Sequence, residues 1–316
     1  MTDQTVIEHA ANKIREGGLV AMPTETVYGL AADATNDAAV AKNFEAKGRP
    51  RFNPLISHVT GADMAARYAE ISQTVQKLID AFWPGPLTLV LPRRPDAELS
   101  LLVSAGLDTV AMRAPDHECA QALIAAVDRP LAAPSANRSG RISPTTAEHV
   151  RRGGLLLAPD AIIDGGPARV GVESTIVKVD GDSVTLLRPG GVARADIEAI
   201  IGAALHNPPQ TDKPQAPGML ASHYAPTASL RLYAQDQRDG EAFLGFGDIT
   251  GGDAAMNLSA AGDLREAAAN LFRALHALDA LCAERGLHTI AVAPIPQDGL
   301  GEAINDRLAR AAAPRD

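Results

Sequence analysis

Several polar motifs in this chain have the residue types and spacing of an anion site. Pro23-Thr24-Glu25-Thr26-Val27-Tyr28-Gly29-Leu30 packs polar side chains into a Pro- and Gly-punctuated turn directly after the apolar run Leu19–Met22. Lys47 and Arg49 follow the next helical stretch and lead into Asn53-Pro54-Leu55, while Arg113 and Arg188 also stand where a β-like run meets a loop. Ligand-binding residues concentrate at such junctions. Charge-assisted hydrogen bonds to phosphate or carboxylate contribute about 1.5–3 kcal/mol each, and the arginine fork suits planar oxyanions. Any one of these cations alone reads as a solvated surface charge. Together, in an acidic chain, they point to a small, multiply anionic ligand.

A second constellation is Ala132-Ala133-Pro134-Ser135-Ala136-Asn137 with Ser143-Pro144-Thr145. Small residues let a ligand approach the backbone, and Ser143 lies near a helix start where amides face an anion. The plain alternative is a Ser/Pro turn with an N-cap. Gly171-Val172-Glu173-Ser174-Thr175 is a third, with an ordinary solvent-facing strand start as its alternative. His58 can hold a ligand carboxylate or hydroxyl, or be a satisfied buried histidine. No GxxxxGK[ST], HExxH or clustered-histidine pattern occurs, and Gly245-Phe246-Gly247 lacks the third glycine of a dinucleotide loop.

The elements that must position these residues are short. Leu19–Met22, Leu55–Val59, Leu87–Leu91, Thr109–Met112, Ile162–Ile163, Ser174–Val179 and Val184–Leu187 read as strands. Asp37–Ala46, Ser72–Phe82, Asp116–Val127, Thr145–Arg152 and Arg194–Leu205 read as helices, with Ser72, Asp116 and Thr145 as suitable N-caps. Trp83-Pro84-Gly85-Pro86-Leu87 reads as an architectural helix stop and turn. This is one α/β domain around a sheet, over residues 1–206. Residues 207–222 form a Pro-rich linker, and 223–316 a smaller α/β unit with helices over Leu264–Arg285 and Gly301–Ala312.

The 316 residues are 46% hydrophobic and 21% charged with a net charge of -9, which suits two domains and disfavours standing nucleic-acid binding. Cys119 and Cys282 are the only cysteines and lack zinc spacing, so no structural metal is expected. Residues 1–18 lack the apolar core of a signal peptide, and no apolar run approaches the ~20 residues of a membrane span. The expected place is the cytoplasm.

The ordered motifs PTETVYGL, KGRPRFNPL, WPGPLT, LDTVAMRAP, APSANRSGRISPT, GVESTIV and LRPGG resemble the YrdC-like threonylcarbamoyl-AMP synthases over residues 6–205. Ala216-Pro217-Gly218-Met219 followed by His223-Tyr224-Ala225-Pro226 resembles the long, two-domain form of that family. The resemblance implies a YrdC-like twisted mixed sheet with flanking helices and a smaller Rossmann-like C-terminal domain. It implies synthesis of threonylcarbamoyl-AMP from L-threonine, bicarbonate (or carbon dioxide) and ATP with magnesium, releasing pyrophosphate. The product would pass to other proteins that modify tRNAs reading ANN codons.

By the same resemblance Thr26, His58, Arg113, Ala133 and Ser174 match threonine-binding positions. Arg49, Asn53, Thr109, Ser135, Ser143, Arg188 and Tyr224 match ATP-contacting positions. Lys47 matches a cation near the phosphates and, with Arg49, would stabilise charge during the reaction; the linker would be a lid. Leu220-Ala221-Ser222 stand where the family usually carries bulky or basic residues. Two other readings are a carbamoyl-transfer enzyme of the hydrogenase-maturation type, and a non-catalytic RNA-binding or ribosome-maturation factor using Arg49, Arg51, Arg93, Arg94, Arg151 and Arg152 as a basic patch.

Overall fold

The computed structural model describes residues 3–208, 216–218 and 222–314. Most of the linker, with Leu220 and Ala221, lies outside them. Strands β1 (Val20–Met22), β2 (Gly29–Asp33), β3 (Ile56–His58), β4 (Leu87–Pro92), β5 (Thr109–Arg113), β6 (Leu131–Ala132), β7 (Ala161–Ile162), β8 (Thr175–Asp180) and β9 (Ser183–Arg188) form one mixed sheet. Its order is β7-β1-β2-β6-β3-β5-β4-β8-β9.

Side-chain alternation assigns its two faces. Met22, Leu89, Leu91, Val110, Met112 and Val177 pack in one core. That core includes residues of α1 (Gln4–Arg15), α4 (Gln73–Phe82), α5 (Glu118–Val127) and α7 (Arg194–Ile201). On the other face Leu19, Ala21, Leu30 and Ala32 meet α2 (Asp37–Lys47) and α6 (Ala147–Arg152). Further along that face Ile56, Val90, Ala111, Ile176 and Leu187 are covered by Ala216. Here, beside Pro217 and Gly218, a cleft opens.

Helix ends follow local chemistry. The Ser72 side chain caps α4, accepting from the Val75 amide. The caps of α5 and α6 fall one residue later than Asp116 and Thr145: His117 accepts from Cys119 and Thr146 from His149. Asp116 instead donates its amide to Glu25 Oε2 at 3.1 Å.

The second unit is a parallel sheet in the order β10 (Ser229–Arg231), β13 (Thr289–Val292), β11 (Glu241–Gly245), β12 (Ala255–Asn257). Its core joins the sheet to α8 (Leu264–Arg285) and α9 (Gly301–Ala312), and extends to Val27, Ile142 and Val172 of the first unit. Gly171 makes this docking close: at φ +75°, a Cβ there would lie 2.4 Å from the Ala268 carbonyl oxygen. No helix among the described residues is long and apolar enough to cross a membrane.

Candidate functional site

The cleft brings together Thr26, Arg49, His58, Arg113, Ala133 and Ser135 from the first half of the chain. Ser174, Arg188 and Tyr224 line it from further along. Parallel pairing of β3 with β5 sets His58 opposite Arg113. A register shift at Ile176/Val177 leaves Leu187 unpaired between Leu186 and Arg188. Such a bulge re-aims side chains, and here Arg188 turns to the cleft while Leu187 packs beside Ile56 on the same face.

Arg113 is held on two sides. Its Nη2 lies 2.6 Å from Glu25 Oε1 in an ion pair whose side chains are 4% and 0% exposed, and its Nε donates to the Gly85 carbonyl at 3.2 Å. The Trp83–Leu87 turn therefore helps to orient a cleft cation. Beside it, loss of hydration, with the Arg113 charge adding to it, pushes His58 down to about 3. His58 is thus neutral near pH 7, and its Nδ1 has no hydrogen-bond partner among the described residues.

Arg49, also in the lining, donates to the Asn53 and Pro54 carbonyls, at 3.3 and 2.9 Å. Burial, more than the nearby Arg188 charge, pulls it down to about 10, so it stays cationic at neutral pH. The Arg188 guanidinium donates to the Ser174 carbonyl at 2.8 and 3.2 Å and to the Pro217 carbonyl at 3.2 Å. The Ser174 hydroxyl lies 2.7 Å from that of Thr88. Gly218 makes room for this contact, since a Cβ there would stand 2.8 Å from Arg188 Cδ.

Four expected residues sit elsewhere. Lys47 is buried behind the cleft, donating to the Ser135 and Asn137 carbonyls, and burial followed by the Arg49 charge drives it well below the ordinary lysine value. It shapes the Ser135 loop rather than facing the cleft. Asn53 is buried with neither side-chain atom hydrogen-bonded among the described residues. Ser143 stands one contact behind the wall, its Oγ donating to Glu173 Oε1 at 2.5 Å. Thr109 shares its face of β5 with Ala111 and Arg113 but lies at the strand's far end, off the cleft lining.

Glu25, Glu173, His223 and Arg307 had no assigned role. The first three stand within the polar motifs themselves; Glu173 and His223 line the cleft. Arg307 makes a 2.7 Å bond from Nε to Glu173 Oε2. The supposed basic patch is dispersed: Arg49 is buried, Arg94 pairs with Asp96 at 3.1 Å, and Arg151 and Arg152 pair with Glu148 at 3.4 and 2.7 Å.

The family model described as Telomere recombination (Sua5/YciO/YrdC) matches residues 12–190, and the one described as Threonylcarbamoyl-AMP synthase, C-terminal domain, matches 192–313. A threonylcarbamoyl-AMP synthase of Bacillus subtilis (strain 168) is 42% identical over 99% of this chain and 95% of its own length. One of Pyrococcus abyssi (strain GE5 / Orsay) is 41% identical over 96% and 93%. The crystal structure of P. abyssi Sua5 complexed with L-threonine superposes with a TM-score of 0.89 at 39% identity, over 98% of this chain and 95% of that one.

Proposed function

Because the chain belongs to the Sua5/YciO/YrdC family and carries the threonylcarbamoyl-AMP synthase C-terminal domain, we propose that it makes threonylcarbamoyl-AMP from L-threonine, bicarbonate and ATP. The observation that carries this reading is a single cleft lined by two groups, Arg113 beside neutral His58 and Arg49 near Arg188. That arrangement suits a small amino acid beside a polyphosphate. The second domain favours the synthase over a carbamoyl-transfer enzyme, which would carry a different set of appended parts.

In this proposal the Arg113 guanidinium takes the threonine carboxylate, with Thr26, Ala133 and Ser174 around the rest of the amino acid. His58, through its uncommitted Nδ1, accepts a hydrogen bond from the amine. The amine nitrogen bonds to the carbon of carbon dioxide or dehydrated bicarbonate and loses a proton, giving a carbamate. A carbamate oxygen then bonds to the α-phosphorus as the bond to pyrophosphate breaks. Such chemistry rests on positioning and charge stabilisation, so no protein nucleophile is required. Arg49 and Arg188 stabilise charge on the phosphates, Ser135, Ser143, Asn53 and Tyr224 shape the nucleotide end, and 216–218 exclude water from a labile intermediate.

Magnesium would enter with ATP and shield the phosphates. Among the described residues no group of three or more His, Cys, Asp or Glu could hold a metal, and both Glu173 oxygens are engaged. A magnesium ion arriving with ATP would be carried by the nucleotide, supplying charge neutralisation at the phosphates beside Arg49 and Arg188. Thr109 as an ATP contact and Lys47 as a phosphate cation are retained only through the loops and strand they support.

We place the units at 1–206, 207–222 and 223–316; Ile197 and Leu205 in the first core support that division, although the C-terminal family model begins at 192. Transfer of the product to tRNA by other proteins, in the cytoplasm, completes the reading. The test incubates the protein with ATP, magnesium, bicarbonate and threonine and measures pyrophosphate. Release requiring all four supports it; release indifferent to threonine or bicarbonate overturns it.

A further inference from the structure

Among the described residues lining the cleft, Glu173 is the carboxylate, and it lies close enough to Arg188 to feel its charge. A buried carboxylate beside a polyphosphate repels it unless a cation compensates. The compensating cation comes from the second domain. Arg307 of α9, fully buried, donates from Nε to Glu173 Oε2 at 2.7 Å and from Nη1 to Asp306 Oδ2 at 2.6 Å. Its guanidinium carbon also lies 5.2 Å from the centroid of the Tyr224 ring, within cation–π range. The ring is further enclosed by His223 and Phe272, at centroid distances of 4.1 and 5.6 Å.

The second domain reaches Glu173 by another route. His276 Nε2 of α8 lies 3.1 Å from the Ser143 carbonyl oxygen, while the Ser143 hydroxyl donates to the Glu173 oxygen that Arg307 does not hold. Glu173 is thus fixed between a serine gripped by α8 and an arginine of α9. Although burial alone would raise it, the Arg307 and Arg188 charges keep Glu173 below the usual glutamate value.

We propose that Arg307 is a positioning residue for the nucleotide end of the cleft: by clamping Glu173 and the Tyr224 ring it makes ATP affinity depend on docking of the C-terminal domain. This rests on the assignment of that end to ATP. It gives the second domain a direct energetic role in substrate binding, beyond carrying the linker.

The test is a double-mutant cycle on the full chain, read by equilibrium binding of a non-hydrolysable ATP analogue with magnesium and by separate KM values for ATP and threonine. Arg307→Met strips Glu173 of its ion-pair partner and leaves it only the Ser143 hydroxyl and the Arg188 charge, so analogue affinity falls at least tenfold while the threonine KM stays within threefold. Adding Glu173→Gln to Arg307→Met removes the orphaned charge and returns affinity to within threefold of the wild type. A packing role alone would give no such rescue. Equal weakening in the single and double variants, an equal rise in both KM values, or no analogue binding by the wild type overturns the proposal. Should Arg307→Met not fold, Arg307→Gln, which also removes the charge, is read the same way: weakening of threefold or more that Glu173→Gln cancels supports it, and no weakening overturns it. Pyrophosphate release that ignores threonine, with the binding cycle intact, would sink the assigned reaction while leaving this coupling in place.

Discussion

Replacing Glu25 with glutamine separates what the Arg113 ion pair does for stability from what it does for the ligand. The pair is 2.6 Å long with both side chains almost fully buried, and the Glu25 Oε2 also accepts the Asp116 amide. Glutamine keeps the shape and an acceptor but removes the charge, leaving the guanidinium tethered by Gly85 alone. Removing one partner of a buried pair costs about 3–5 kcal/mol, and the retained acceptor argues for the lower end, about 3 kcal/mol. At roughly 2–4 °C per kcal/mol for larger domains, Tm should fall by about 6–12 °C. A ligand carboxylate would replace the missing counter-charge and no longer face Glu25 as a like charge. L-Threonine should therefore bind the variant at least tenfold more tightly than the wild type, about 1.4 kcal/mol, and raise its Tm by correspondingly more. The assay is thermal and urea unfolding across a threonine titration, with threoninol, which lacks the carboxylate, as control. A variant Tm within 2 °C of the wild type, to be judged against the cost just derived, refutes the energetic step. Equal threonine affinities refute Arg113 as the carboxylate receptor.

Three other outcomes follow from the same geometry. His58 is held at about 3 when folded but titrates near 6.5 when unfolded, so the unfolded state takes up the proton first as pH falls and stability drops below about pH 6.5. His58→Gln should remove about 1 kcal/mol of the stability change between roughly pH 6 and pH 5 in urea unfolding; an unaltered slope excludes a neutral buried His58. Arg188→Lys keeps a charge but loses the fork joining Ser174 to Pro217. At about 1.5–3 kcal/mol per charged bond, the ATP KM should rise tenfold or more with the threonine KM within about threefold, and the reverse pattern in steady-state pyrophosphate release refutes the assignment. Gly171→Ala adds a Cβ 2.4 Å from the Ala268 carbonyl at φ +75°, costing about 2–4 kcal/mol of strain and overpacking. Faster hydrogen exchange in the first turns of α8 is the expected sign, and unchanged exchange counts against tight docking there.

The strands that carry the cleft were legible as short apolar runs bounded by Pro, Gly and polar residues, and the polar turns because hydroxyls and cations interrupt apolar runs. What escaped depended on distant partners. β2 was hidden inside a motif whose Gly29-Leu30-Ala31-Ala32 segment is buried throughout and has no period to display. The Asp116 and Thr145 caps were misplaced by one because the neighbouring His117 and Thr146 can also accept an amide bond. Arg307 had a usable signal: it lies on the helix face marked by Ile304, Leu308 and Ala311, all buried. A cation in an apolar stripe needs a buried partner, but no local pattern reveals that Glu173 supplies it from so far away in the chain.

Net charge misleads about this site for a definable reason. The chain is acidic overall, yet the cleft cations are withdrawn from solvent and each is held by acceptors of the protein: Arg113 by Glu25 and Gly85, Arg49 by Asn53 and Pro54, Arg188 by Ser174 and Pro217. Held this way they lose little side-chain entropy when an anion arrives, which favours oriented binding over long-range attraction of polyanions. The same face explains Thr109. Ala216 belongs to the same buried cluster as Ala111, which lies between the Arg113 and Thr109 ends of β5, so a nucleotide that extends along this face to Thr109 and the segment 216–218 compete for one surface. Contact with Thr109 therefore requires that segment to shift from its place on Ile56, Ala111 and Leu187, whereas contact with Arg49 and Arg188 does not.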